Sequence, residues 1–340
     1  MTIVAGLDVG GAHLKVALVE AGRTVAVSQF LCPLWQGLDK LDAAMSAAQP
    51  LLSRADRFGV TMTGELSDLF SNRKSGVETL VGRIDRELGS RACFWMGQRG
   101  FGSADEACRH HADVGSTNFL ATAAFVATHD ADALLIDFGS TTADIVPIVA
   151  AEPRPRGLTD AERQTNGELV YTGLTRTAVM GITTRAPFKG RMQGLAREYL
   201  ATMADVHRIL ENLPDGVDQH ATADGRGKSL DESIARFARM FGRDAHEGSL
   251  DDWRASAEFV RIAQLTSIEE GISAVLAETV IAENAPLVAA GIGASEVAAI
   301  AERVGRPHVE FGDLANAAED CRTWATACAP AVSVAHLLLR

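Results

Sequence analysis

Lysine and cysteine are scarce in this 340-residue sequence, and both shortages narrow its possible functions. Only five of the 32 basic residues are lysine, and 44 acidic residues bring the formal net charge to −12. Phosphate contacts need a basic face, so this charge argues against a nucleic-acid partner. The five cysteines form no CxxC pair, which favours reduced thiols over a disulfide framework. Cys108, His110 and His111 have no second ligand pair nearby, and we expect no zinc there.

Long hydrophobic runs are also missing. The most apolar late stretch, residues 286–301, is interrupted by Gly291, Gly293 and Glu296, and therefore predicts no membrane span. Residues 1–10 lack the basic region of a signal peptide. These absences predict a soluble cytoplasmic protein with no membrane partner, and they leave the oligomeric state open.

Short apolar runs that alternate with helical patterns predict an α/β fold. The predicted strands are Ile3–Val9, Leu14–Glu20, Thr24–Phe30, Phe58–Thr63, Ala92–Met96, Leu134–Asp137 and Ala143–Val149. The predicted helices are Leu38–Ala55, Gly76–Leu88 and Ser116–Thr128. We expect Pro50 to kink or split the first helix, and the Ser-Thr-Asn start of the last one to supply an N-cap.

Two stretches of the chain begin alike, namely LDVGGAHLKVALV (7–19) and IDFGSTTADIVPI (136–148). In register, Asp8, Gly10-Gly11 and Lys15 match Asp137, Gly139-Ser140 and Asp144. Such an internal repeat predicts two α/β domains, roughly 1–130 and 131–340, that face each other across a cleft. The second domain would carry an insertion at about 150–285. The alternative is two ordinary β-hairpins whose Asp-x-Gly supplies only turn chemistry.

The repeated turns have the chemistry of a phosphate site. Glycine or serine at a turn lets backbone N–H groups approach an anion closely. A carboxylate at the strand end disfavours a bare phosphate, so a cation has to lie between them. Mg²⁺ would bridge Asp8, Asp137 and phosphate oxygens, and Lys15 would add a compact positive charge.

A third glycine-bearing segment, Leu287–Ala294, follows late in the chain. With the two loops it resembles the actin-like ATPase and sugar-kinase superfamily. The resemblance implies two actin-like (ribonuclease H-like) α/β lobes with an inter-lobe cleft. In place of the superfamily's usual double glycine, Ala290 precedes Gly291, and Ile292 separates the two glycines. This departure weighs against adenosine binding.

Five longer motifs narrow the resemblance. They are CPLWQGLDKL (32–41), GVTMTGELSDLF (59–70), TNGELVYTGLTRT (165–177), EYLATMADVHRIL (198–210) and DQHATADGRGK (218–228). Together they resemble the hydantoinase/oxoprolinase-like proteins linked to tetrahydromethanopterin C1 transfer in methylotrophic bacteria. That family is similar to the archaeal synthase of the methanofuran pathway.

The resemblance implies a Mg²⁺-dependent transferase of methanofuran or methylofuran biosynthesis. Its reaction would join (5-(aminomethyl)furan-3-yl)methyl diphosphate to the phenol of γ-glutamyltyramine and release diphosphate. Asp8 and Asp137 would then be metal ligands, with Lys15 as a charge partner. The diphosphate would lie against Gly10, Gly11, Lys15, Gly139, Ser140, Thr141 and Thr142.

Several polar residues are candidates for handling the phenolic substrate. Glu65 and Asp68 are the first choices for accepting or binding the phenol proton, although both also suit the N-terminus of a helix. Substrate carboxylates or diphosphate could meet Lys189, Arg191, Arg226 and Lys228, or these residues could be solvated surface. His207 fits a structural histidine better than a base.

Two other functions remain open from the sequence alone. One is an ATP-dependent small-molecule kinase or oxoprolinase-like hydrolase of the same fold. The other is a non-catalytic, actin-like scaffold.

Overall fold

The structure is a computed structural model that describes residues 2–340. Its first sheet has the strand order β3-β2-β1-β4-β5-β6. These strands are β1 (Ile3–Val9), β2 (His13–Glu20), β3 (Arg23–Leu31), β4 (Arg57–Met62), β5 (Ala92–Trp95) and β6 (Phe101–Gly102). The accompanying helices are α1 (Asp39–Leu52), α2 (Arg73–Leu88), α3 (Ala104–Arg109), α4 (His111–Val114) and α5 (Asn118–Val126).

The second half of the chain builds another sheet and an inserted region. Its strands are β7 (Ala133–Phe138), β8 (Ala143–Val149), β9 (Glu152–Pro153), β10 (Leu169–Val170), β11 (Arg185–Phe188), β12 (Arg191–Gly194), β13 (Leu287–Ala290) and β14 (His308–Glu310). The main sheet has the order β10-β8-β7-β13-β14, β9 pairs with β8, and β11 and β12 form a separate hairpin.

Eight helices follow α5 in the described chain. They are α6 (Asp160–Thr165), α7 (Met203–Ile209), α8 (Leu230–Met240), α9 (Leu250–Glu278), α10 (Ala294–Val304), α11 (Phe311–Leu314), α12 (Arg322–Ala327) and α13 (Ala329–Leu339). Of these, α7, α8 and part of α9 pack with the β11–β12 hairpin around Phe237 and Trp253. The insertion therefore has an apolar core of its own.

The two main sheets repeat the same pairing. In the first, β1 pairs antiparallel with β2 and parallel with β4. In the second, β7 pairs antiparallel with β8 and parallel with β13. Asp8 lies opposite Lys15, and Asp137 lies opposite Asp144, so the register matches the repeat seen in the sequence. The predicted fold class, two actin-like α/β lobes, is confirmed.

The last helix packs on the first sheet rather than on the second. A Cβ atom on Gly6 would lie 1.8 Å from the carbonyl oxygen of Ala331, and one on Gly59 would lie 2.6 Å from that of Val334. Only glycine lets α13 come this close to β1 and β4. The predicted division near residue 130 separates the two sheets in sequence, and as a domain boundary it stays a prediction.

Two local predictions are wrong. Helix α1 runs through Pro50 without being split, because Pro50 lies in the last turn and only two helical residues follow it, so no second helical segment is left to separate. At the start of α5, no side chain caps the helix. The Thr117 hydroxyl instead donates to the carbonyl oxygen of Val114, 2.9 Å away.

No helix within residues 2–340 combines the length and the apolar character needed to cross a membrane.

Candidate active site

The turns of the two repeated hairpins face a single cavity of about 660 Å³. Its wall brings together ten of the predicted site residues, namely Asp8, Gly10, Gly11, Lys15, Asp68, Asp137, Gly139, Ser140, Thr141 and Thr142. Strands from different sheets therefore deliver both halves of the repeat to one place.

Both turns close in the same way. The Gly10 N–H donates to the carbonyl oxygen of His13, and the Gly139 N–H donates to that of Thr142, each over 2.9 Å. Across the described chain, the next N–H groups, those of Gly11 and Ser140, donate to no protein acceptor. They remain available to an anionic ligand, as in other backbone anion sites.

Asp8 and Lys15 form an ion pair across β1 and β2. The Lys15 Nζ lies 3.3 Å from Asp8 Oδ2, while the buried Oδ1 of Asp8 has no hydrogen-bond partner. Burial raises the pKa of Asp8, and the Lys15 charge opposes that shift. Burial lowers the pKa of Lys15, but the charges of Asp8 and other acidic groups outweigh it and raise this pKa overall.

Asp137 lies at the end of β7, where burial raises its pKa to about 7. The charge of Asp144 raises this pKa further, and the charge of Asp8 adds to it, so the carboxylates of both hairpins influence one another. The third glycine segment packs directly on this group. Gly291 has a φ of +81°, and a Cβ atom there would lie 2.5 Å from Asp137 Oδ1. A glycine is therefore required beside Asp137.

Asp144 forms an ion pair with Arg163, a residue that the sequence analysis did not identify. Arg163 Nη1 donates to Asp144 Oδ1 over 2.7 Å, and Nη2 donates to the carbonyl oxygen of Glu168 over 3.0 Å. The guanidinium lies 3.6 Å from the centre of the Phe119 ring. Burial among these partners leaves Arg163 as a structural partner of Asp144.

Arg176 is the third cation in the cavity wall, and sequence reasoning missed its role. Its Nη1 donates to the Thr141 hydroxyl over 3.3 Å, and its guanidinium lies 5.3 Å from the Trp35 ring centre. Lys15 and Arg163 each pair with a carboxylate, whereas Arg176 pairs with none in the described chain. Its charge is therefore free to meet an anionic ligand.

A close backbone approach places Arg176. The Leu174 N–H donates to the carbonyl oxygen of Gly139, and the Arg176 N–H donates to that of Ser140. A Cβ atom on Gly173 would lie 2.2 Å from the Ser140 carbonyl carbon. The TNGELVYTGLTRT motif includes both Gly173 and Arg176. The role of Arg176 could not be predicted from the motif, because it depends on contact with a loop more than 30 residues away.

Glu65 is nearly fully buried and lies behind the cavity rather than in its wall. The Ser116 hydroxyl, which does line the cavity, donates to Glu65 Oε1 over 2.6 Å. Glu65 Oε2 has no partner, and burial raises the pKa of this carboxyl group to about 7. Ser116 has a φ of +55°, an unusual backbone conformation for a residue other than glycine.

The four basic residues predicted for substrate binding lie outside the cavity wall. Lys189 donates to the carbonyl oxygen of Glu247 over 2.6 Å, and Arg191 is exposed on β12. Arg226 lies in an exposed turn, and Lys228 lies 3.2 Å from Asp218. These side chains meet solvent or other parts of the insertion. The prediction missed this because the spacing of residues along the chain does not show which way a loop turns.

His207 is a buried structural histidine, as expected. Its Nδ1 lies 3.0 Å from Asn212 Oδ1, and its Nε2 lies 3.1 Å from Gln264 Oε1.

The cavity suits a magnesium ion that arrives with a phosphorylated ligand. Five carboxylates line it, those of Asp8, Asp68, Asp137, Asp144 and Asp160. The described residues hold no group of three or more side chains that would bind a metal alone. Mg²⁺ usually takes only one or two protein carboxylates, together with water and substrate phosphates. The unpartnered Oδ1 of Asp8 and the nearby Asp137 fit that mode.

Fold and site together define a two-lobed, actin-like protein with an acidic cavity between its repeated loops. The sequence model of the hydantoinase/oxoprolinase family matches residues 56–329, and the chain belongs to this family. A relative from Methanocaldococcus jannaschii is 31% identical over 71% of this chain and 72% of its own length. It is named "(4-{4-[2-(gamma-L-glutamylamino)ethyl]phenoxymethyl}furan-2-yl)methanamine synthase".

A second relative with the same name, from Methanococcus vannielii, is 31% identical over 36% of this chain and 55% of its own length. Among solved structures, a ROK family glucokinase from Streptomyces griseus has a TM-score of 0.47 at 15% identity, and 98% of each chain is covered. Component A of (R)-2-hydroxyglutaryl-CoA dehydratase from Acidaminococcus fermentans has a TM-score of 0.47 at 10% identity, with 99% of this chain and 97% of that chain covered. Neither structural likeness bears on activity.

Proposed function

We propose that this chain is a transferase that joins (5-(aminomethyl)furan-3-yl)methyl diphosphate to the phenol of γ-glutamyltyramine and releases diphosphate. The product would be a precursor of a methanofuran-type cofactor such as methylofuran. The observation that carries the proposal is the meeting of both hairpin loops and the free guanidinium of Arg176 in one acidic cavity. The relatives' name supports it, because their product holds a phenoxymethyl-furan ether.

The ether requires one bond to form and one to break. The phenol oxygen attacks the furan methylene carbon, and the bond from that carbon to the diphosphate oxygen breaks with its electron pair. The furan ring stabilises positive charge on the methylene carbon, so stabilising the departing diphosphate would supply much of the catalysis. The free N–H groups of Gly11 and Ser140 would bind this anion together with Arg176.

Asp8 and Asp137 would hold Mg²⁺ in this cavity. When bound, the ion would act as a Lewis acid that neutralises charge on the diphosphate. Lys15 holds the Asp8 carboxylate from the opposite strand, which orients it toward the cavity and reduces the cost of burying it.

The phenol also has to lose a proton. Ser116 lines the cavity and donates to Glu65, so the phenol proton would pass to Ser116 Oγ while the Ser116 proton passes to Glu65 Oε1. A carboxyl group with a pKa near 7 is suited to this task at neutral pH. Asp68, in the cavity wall, would bind the substrate from the same side.

The direct test is a diphosphate-release assay with the purified chain, the furan diphosphate, γ-glutamyltyramine and Mg²⁺. We expect release that requires both organic substrates, with the ether detected by mass spectrometry. Hydrolysis of ATP without the phenolic substrate, and no ether product, would instead support a kinase or hydrolase of this fold.

A further inference from the structure

A second chamber of about 550 Å³ adjoins the acidic cavity. Trp35 and Arg176 line both spaces, so they form the divide between them. The other walls come from the end of β3 and from two stretches of the insertion, residues 199–208 and 218–222. Its volume is in the range that holds a small organic ligand.

Apart from Arg176, the charged groups that line this chamber are already paired. Arg208 donates to Asp218 over 2.6 Å and lies 3.4 Å from Asp205. Lys228 lies 3.2 Å from Asp218, and Arg236 lies 2.8 Å from Asp205. The chamber thus differs from the acidic cavity, because its carboxylates need neither a metal nor a cationic ligand.

Three of the side chains that line this chamber carry aromatic rings, those of Trp35, Tyr199 and His220. The relative exposure is 43% for Trp35 and 52% for Tyr199, high values for large rings in the wall of a chamber. The His220 ring lies 5.8 Å from that of Trp35. Exposed aromatic faces of this kind favour a ligand with an aromatic ring of its own.

Two imidazole rings lie against each other, one on each side of the divide formed by Trp35 and Arg176. His13 lines the acidic cavity, His220 lines the second chamber, and their ring centres are 4.7 Å apart. Neither Nε2 has a hydrogen-bond partner in the described chain, and His13 is only 5% exposed. Burial lowers the pKa of His13 to about 3 and that of His220 to about 4, so both are neutral. Neutral imidazoles can donate to or accept from a hydroxyl group.

We propose that the second chamber binds the acceptor substrate, a phenol with a polar tail, and directs its hydroxyl group past His13 and His220 into the acidic cavity, where Ser116 would receive its proton. The aromatic ring would lie in the chamber, with the furan diphosphate across the divide in the acidic cavity. This assignment rests on the proposed function for the chemistry of both ligands. It also explains why a transferase of two substrates has two chambers that share a wall.

The test is a calorimetric titration of γ-glutamyltyramine into the full chain with Mg²⁺ and inorganic diphosphate present. Ala221→Trp adds an indole ring at a position that lines the second chamber and not the acidic cavity. We expect the acceptor Kd to rise at least about tenfold, while the diphosphate Kd stays unchanged. Ala47→Trp, at an exposed position of α1 that lines neither space, is the matched control and should leave both constants unchanged.

A second ligand tests the divide. The γ-glutamyl amide of phenethylamine lacks only the hydroxyl group, and we expect it to bind about tenfold more weakly, because the imidazoles then lose their partner. The chamber assignment would be overturned if Ala221→Trp bound the acceptor with the same Kd as the wild type. It would also be overturned if the wild-type protein bound diphosphate but did not bind γ-glutamyltyramine. If acceptor binding depends on residue 221 but the assay releases no diphosphate, the proposed reaction fails and the acceptor chamber stands.

Discussion

Three cations line the acidic cavity, but their charges are not equally available. Lys15 is held by Asp8 and Arg163 by Asp144, whereas Arg176 lies against Thr141 and Trp35 without a carboxylate. The sequence predicted Asp8 and Asp137 because an aspartate recurs at this position of the repeat, and Lys15 because it is a cation in the first of the two hairpins. Arg176 and His13 do not recur, and they enter the site only because separate segments fold against the same loops.

Removal of the Arg176 charge should weaken diphosphate binding. For Arg176→Gln we expect the Kd for Mg²⁺-diphosphate to rise by about 10- to 100-fold, the range of a charge-assisted hydrogen bond. Isothermal titration calorimetry measures it, with Arg191→Gln as the control because Arg191 is exposed and outside the cavity wall. Equal affinities for Arg176→Gln and wild type would rule out the diphosphate contact.

Glu65 should make folding stability depend on pH. Its pKa is raised from 4.5 to about 7, so the folded state binds more protons than the unfolded chain between these values. Stability is therefore lost as pH rises through this window, by an amount on the order of 3 kcal/mol. Glu65→Gln removes this loss while its amide oxygen can still accept from Ser116.

Urea unfolding of wild type and Glu65→Gln at about pH 5 and about pH 8 measures the difference. The variant should gain stability relative to wild type at the higher pH. Glu270→Gln, at an exposed position, should follow the wild-type profile. Parallel profiles for wild type and Glu65→Gln would show that Glu65 titrates normally.

Secondary structure was the more predictable part of the molecule. Both hairpins and the strands around them follow the sequence pattern, because short continuous apolar runs and Asp-x-Gly turns act locally. The errors at Pro50 and Thr117 arise where the position in a helix, or a competing carbonyl, decides the outcome. The contact between residues 173–176 and the second loop is not local, and no pattern predicts it.

Gly173 tests that contact. Gly173→Ala places a methyl group 2.2 Å from Ser140, so the loop or the segment must move. We expect a stability loss of about 1–3 kcal/mol and weaker Mg²⁺-diphosphate binding, because Arg176 and Ser140 shift together. Gly181→Ala is the control, since a Cβ atom there meets nothing within 4 Å. Unchanged diphosphate binding by Gly173→Ala would mean that this packing does not position the site.

Across the whole molecule, two similar sheets meet at their hairpin turns, and an insertion adds the second chamber. The internal repeat predicts the first of these features, since each half of the chain carries the same strand, turn and strand. The second depends on how residues 199–222 fold back toward Trp35, which spacing along the chain does not reveal.

The most direct measurement is a titration of inorganic diphosphate into wild type, Asp8→Asn and Asp137→Asn, with and without Mg²⁺. We predict binding by wild type only when Mg²⁺ is present, and a loss of at least about tenfold in each variant, since even outer-shell partners of a bound metal contribute that much. Asp215→Asn, at an exposed site outside the cavity, should bind as wild type does. Equal binding without Mg²⁺, or full binding by both cavity variants, would contradict a shared metal–diphosphate site between the two hairpins.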